Sequence, residues 1–148
     1  MKISYNFPPN IEEIVKLLPE ARNPRVIFTY GDTIYNPGYG QITDDLHVHE
    51  AVHEKQQGPT PNAWWRLYLQ DPTFRLGQEI EAYRTQYAWA LKNLPRQGRR
   101  ALLKRIVKDI SSAIYGRMVT QTEAEQLIVS GQEAPAGASP VPAGAPPA

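Results

Sequence analysis

The stretch Leu46-His47-Val48-His49-Glu50-Ala51-Val52-His53-Glu54 holds all three histidines of the chain. Its surroundings are helical: Thr43, Asp44 and Asp45 offer a cap and an acidic first turn, and Gly58-Pro59 ends the segment, so a helix is predicted from about 43 to 57. Within it, His49-Glu50-Ala51-Val52-His53 has the pattern H-E-x-x-H. Imidazoles at i and i+4 leave one helix face a turn apart and can converge on a single Zn2+. Glu50 then lies beside the metal rather than on it, where its carboxylate can take a proton from a water that the metal activates. His47, two residues before His49, points off that face and reads as a capping or supporting histidine.

Upstream of this helix, Ile11, Ile14, Val15, Leu17 and Leu18 recur with helical spacing between Asn10 and Pro19. Arg25 to Tyr30 is β-branched and aromatic, Gly31-Asp32 signals a reversal, and Thr33-Ile34-Tyr35 follows as a second strand. Asn36-Pro37-Gly38 turns the chain again, and Tyr39 to Ile42 is the candidate third strand of a small antiparallel sheet. Downstream, short and long helices are predicted over about 63–69 and 73–94, then over 99–114 and 122–129. The fold class is therefore α+β, predominantly helical, with the sheet preceding the H-E-x-x-H helix. Trp64 and Trp65 read as core or groove wall.

Composition limits the chemistry. The chain has 148 residues and no cysteine, which excludes disulfides, zinc ribbons, iron-sulfur clusters and thiol catalysis. Any metal must be held by His, Asp and Glu. No apolar run approaches the roughly 18 residues of a membrane span, and the opening residues lack the apolar core of a secretory signal, so a cytoplasmic protein with no membrane partner is expected. Residues 1–131 suffice for one domain. Residues 132–148, rich in Ala, Pro and Gly, read as a disordered tail.

Catalytic zinc needs a third protein ligand. A histidine six residues beyond His53 is ruled out, because Pro59 stands there and Gln56 replaces the glycine such a motif requires. The ligand should be a carboxylate from another helix. Glu79 and Glu81 share the long helix but point about 200° apart around its axis, so one metal cannot take both. Leu76, Ile80, Tyr83, Tyr87, Leu91 and Leu94 mark the apolar face; Glu79 lies at its edge and Glu81 points away from it. Periodicity selects Glu79.

The pair H-E-x-x-H and E-x-E-A-Y, as His49 to His53 and Glu79-Ile80-Glu81-Ala82-Tyr83, resembles the gluzincin zinc metallopeptidases, and most closely the compact forms found in bacterial and phage proteins. The likeness runs from about Val26 to Leu91. It implies a zincin-like fold, hydrolysis of a protein or peptide substrate, Zn2+ held by His49, His53 and Glu79, and Glu50 as general base. It also implies that Tyr83, in place of the commoner aspartate, stands where a residue supporting a metal-bound histidine often sits. A strand within Thr33 to Ile42 would form an open edge and pair with an extended peptide. No oxyanion donor stands out; Tyr35, Tyr39, Tyr83, Tyr87 and Arg84 are the candidates. With the oxyanion group unassigned, a binding or assembly protein that keeps the fold is the alternative to an enzyme.

Lys92, Arg96, Arg99, Arg100, Lys104, Arg105 and Lys108 place seven basic residues and no acidic one between 92 and 108. The preferred reading is the solvated face of a helix whose other face is Leu102, Leu103, Ile106, Val107 and Ile110, which calls for no nucleic-acid partner. The alternative is an anion-binding patch for nucleic acid or an acidic partner, which would make the chain a nucleic-acid-binding accessory protein.

Overall fold

The computed structural model describes residues 1–130 and 132. By their contacts, the residues group into two compact units, Met1–Asp71 and a second beginning at Pro72.

The first unit holds β1 (Lys2–Ser4), α1 (Ile11–Leu17), a 3-10 turn (Pro19–Arg22), β2 (Phe28–Tyr30), β3 (Thr33–Tyr35), α2 (Asp44–Gln57) and α3 (Pro61–Gln70). β2 and β3 form the antiparallel hairpin that the sequence suggests, with Thr29 opposite Ile34. Its two-residue turn is Gly31-Asp32. Gly31 has φ of 59°, a positive value at the first turn position that matches the twist of the flanking strands and favours glycine.

The third strand differs from expectation. Residues 39–42 form no strand: Gly38 packs so closely on the chain that an added Cβ would sit 2.4 Å from the Pro24 carbonyl oxygen, and Tyr39 then turns with φ of 55°. Asn36 fixes this loop, its Nδ2 donating to the Gly40 carbonyl at 2.7 Å. The third strand is β1, which pairs with β3 in parallel, so the sheet is mixed rather than antiparallel, in the order β1-β3-β2. β3 is central. The open peptide-binding edge expected within Thr33 to Ile42 is filled by the chain itself: Lys2 N donates to Asp32 O at 2.8 Å and Asn36 N to Ser4 O at 2.7 Å.

The core of this unit combines Ile14, Phe28, Ile34 and Val52 with Trp64, Trp65, Tyr68 and Leu69 of α3. Trp64 stacks on Tyr68 at 4.8 Å between ring centroids, and Trp65 meets Phe28, Trp64 and Tyr68 edge-on or tilted. The two tryptophans are core wall, as the sequence suggests.

The second unit is helical: α4 (Pro72–Asn93), α5 (Arg96–Ile110), a 3-10 turn (Ala113–Tyr115) and α6 (Gln121–Ser130). Leu76 and Ala90 of α4 pack with Leu102, Ile106 and Ile110 of α5, Tyr115, and Ala124 and Ile128 of α6. Ile80, Tyr83, Tyr87 and Leu94 line the same core, as the apolar face read from α4 predicts, whereas Leu91 of that face is exposed. α5 starts three residues earlier than expected, immediately after Pro95, whose extended backbone (ψ of 162°) caps it. Of the expected tail, only Gln132 lies among the described residues; its backbone N–H donates to Val129 O and its side chain to Arg84 O at 2.6 Å. Residues 133–148 lie outside them. No helix among the described residues is long and apolar enough to cross a membrane.

Candidate metal centre

An ordinary surface helix buries apolar side chains, whereas α2 buries His49, Glu50, Val52, His53 and Gln57. Four of these five are polar or titratable, and each must be satisfied internally to offset the loss of water. The buried face of this helix is therefore mainly polar rather than apolar.

Several of these partners are on view. Glu50 Oε2 accepts a hydrogen bond from Thr29 Oγ1 of β2 at 2.6 Å. This buried contact holds the carboxylate in one orientation. Gln57, 2% exposed, turns its carboxamide on the outer edge of β2: Gly31 N donates to its Oε1 at 2.7 Å and its Nε2 donates to Thr29 O at 2.8 Å. The amide thus behaves as a short stretch of strand, and Trp65 Nε1 gives Thr29 O a second donor at 3.1 Å. Thr29 is anchored from both sides, which in turn fixes Glu50.

The two histidines of the motif face each other. Their Nε2 atoms lie 3.1 Å apart, and the His53 ring also packs 5.6 Å from Trp64. Two nitrogens bound to one tetrahedral zinc at 2.0–2.1 Å stand about 3.3 Å apart, so the spacing fits a pair of ligands on a shared ion. His53 Nδ1 contacts Gln56 Oε1 at 2.8 Å. With that nitrogen donating, Nε2 keeps its lone pair for a metal, the usual way in which an outer hydrogen bond fixes the tautomer of a ligating histidine.

Glu79 belongs to the group of residues that could hold a metal ion. It is buried on a second stripe of α4, with Arg75, Gln78, Ala82 and Gln86 at helical spacing. One ligand atom each from His49, His53 and Glu79 lie within 4.8 Å of one another, and all three residues are buried. Two imidazoles and a carboxylate are a donor set suited to zinc among common cations, and this group could hold a metal ion. Glu81 is outside it and half-buried rather than turned to solvent, and so is His47.

Four of the five oxyanion candidates are engaged elsewhere. Tyr83 donates to Asp109 Oδ2 at 3.3 Å, and burial holds its phenol well above the usual tyrosine range. Arg84 Nε donates to Leu127 O at 2.6 Å, tying α4 to α6. Tyr87 lines the helical core, and Tyr39, 72% exposed, stacks on Tyr5 with centroids 4.5 Å apart. Tyr35 lies in the central strand, opposite Phe28.

Sequence reasoning misses Thr29, Gln56 and Gln57. The signal available for Thr29 is one hydroxyl in an otherwise apolar and aromatic strand; for Gln57 it is an i+4 step from His53 that prolongs the buried face. In comparisons with protein-family models, curated proteins and solved structures, nothing matched this chain.

Proposed function

We propose that the protein is a zinc-dependent metallopeptidase, with His49, His53 and Glu79 as metal ligands and Glu50 as general base. The observation that carries this reading is the buried polar face of α2, whose paired imidazoles stand at ligand spacing with a buried Glu79 in reach. Bound zinc would supply Lewis acidity, polarising the scissile carbonyl and making a water acidic enough to lose a proton near neutral pH. Glu50 takes that proton and returns one to the departing amine. Thr29 keeps the carboxylate aimed for both transfers, and Gln56 keeps His53 in the ligating tautomer.

A second reading is a protein that uses the metal for structure and acts by binding or assembly. It is favoured by closure: His49, Glu50, His53 and Glu79 are each 4–6% exposed, and β3 is flanked on both sides. Hydrolysis of casein, mixed peptides and peptidoglycan peptides by wild type and by Glu50→Gln separates the two. The peptidase reading expects cleavage by wild type and none by the variant, with equal zinc in both. Zinc-loaded wild type that cleaves nothing supports the structural reading.

A further inference from the structure

The charge of this chain is strongly polarised. Seven of its sixteen basic residues and none of its fifteen acidic ones fall between Lys92 and Lys108, leaving nine basic against fifteen acidic residues elsewhere, a net of −6. The fold turns that run into a surface. Leu102, Ile106 and Ile110 anchor α5 in the core of its unit, so its opposite side is fixed toward solvent. Arg100, Lys104, Arg105 and Lys108 fall there within about 140° of arc, with Arg96 at the shoulder. All five are exposed, and none forms an ion pair among the described residues. Asp109 is the one acid on the helix, at its far end.

We propose that this face of α5 binds the phosphate backbone of a nucleic acid without regard to base sequence. Arg96 to Lys108 spans about 18 Å at the helical rise. Five cations over that length stand on average about 4.5 Å apart along the axis, nearer to the 3.4 Å axial spacing of phosphates on one duplex strand than to the spacing of charges on a peptide. An extended acidic peptide shows one face a charge only about every 6.6 Å. The rest of the exposed face is Gln97 and Ala101, with Asp109 at its far end and no aromatic or large aliphatic side chain to stack on bases or enter a membrane. Recognition is therefore electrostatic.

The test is fluorescence anisotropy of the full chain with a labelled 20-base-pair DNA of arbitrary sequence, from 50 to 200 mM KCl. Five neutralised phosphates predict a slope of log K against log salt of about −4.5, or roughly a 500-fold loss of affinity over that range. Arg100→Gln/Lys104→Gln/Lys108→Gln should flatten the slope to about −2. Lys16→Gln/Arg66→Gln/Arg117→Gln, which removes equal charge from other exposed positions, should leave it unchanged. Equal losses from both triple variants, or no binding by wild type at 50 mM KCl, would overturn the proposal. Poly-glutamate displacing the duplex as well as unlabelled duplex does, at equal charge, would make this an acidic-peptide surface instead. Unchanged melting temperatures of both variants show that the comparison is between folded proteins.

Discussion

Replacing Gln57 by leucine should unravel the edge of β2, although the new side chain is apolar and of similar size. The carboxamide accepts from Gly31 N and donates to Thr29 O, and it is buried. Leucine removes both hydrogen bonds, each worth about 1 kcal/mol net. Thr29 O keeps its bond from Trp65 Nε1, so only the Gly31 N–H is stranded, at roughly a further 1–3 kcal/mol. Extra apolar burial returns about 1 kcal/mol, leaving a net loss of about 2–4 kcal/mol. Urea unfolding of wild type and Gln57→Leu measures the total, and amide hydrogen exchange at Gly31 localises it. Gln57→Glu should also destabilise at neutral pH, because its carboxylate can accept from Gly31 but brings no donor to Thr29 O. A Gln57→Leu midpoint within about 0.5 kcal/mol of wild type, or Gly31 protection unchanged, would refute the idea that this side chain closes the sheet.

Other outcomes follow from the same contacts. Gln56→Leu frees His53 Nδ1 and should weaken zinc affinity by roughly 10–100-fold, measured by competition with a chromophoric chelator, with little change in fold. Thr29→Val should keep zinc but slow any hydrolysis by roughly tenfold, a part of what a positioned base contributes, and Thr29→Ser should restore it; equal rates in Val and Ser variants would remove the hydroxyl from the mechanism. Burial raises the Asp109 carboxyl above its ordinary 3.8, the Glu79 charge adding to this and the Tyr83 hydroxyl, Lys108 and Arg105 opposing it. The native state therefore holds that proton more tightly than the unfolded chain, and the associated stability is present below the ordinary value and lost as pH rises through the native one. Asp109→Asn should thus compare most favourably with wild type near pH 7 and lose ground as pH falls toward 3, as thermal melts across that range would show.

The helices of this protein are more legible in its sequence than its sheet, and the reasons are physical. α4 announces itself because Leu76, Ile80, Tyr83 and Tyr87 repeat at helical spacing and do pack into one core; the same wheel puts Glu79 at the edge of that face. α2 is found by its caps and its H-E-x-x-H spacing, since its buried side carries one aliphatic residue, Val52. β1 leaves no such trace: Lys2 and Ile3 are exposed, and the strand is held by backbone hydrogen bonds and the Lys2–Asp32 ion pair at 2.7 Å. Residues 39–42 look more like a strand, yet Gly38 packs tightly on Pro24, Tyr39 takes a positive φ and no strand forms there. The partners of Glu50, His53 and β2 are side-chain amides and a hydroxyl, residue types that the sequence uses equally well on its surface. Their roles depend on positions that only the folded chain fixes.

The claim on which the rest depends is that α2 and α4 together supply a metal site. Its most direct test is the zinc content of the purified chain after dialysis at pH 7 against trace zinc, measured by mass spectrometry for wild type, His53→Ala, Glu79→Ala and Glu81→Ala. One zinc per chain is predicted for wild type and for Glu81→Ala, with the metal lost from His53→Ala and held far more weakly by Glu79→Ala. Wild type that takes up no zinc, or Glu81→Ala losing it while Glu79→Ala keeps it, would contradict the assignment.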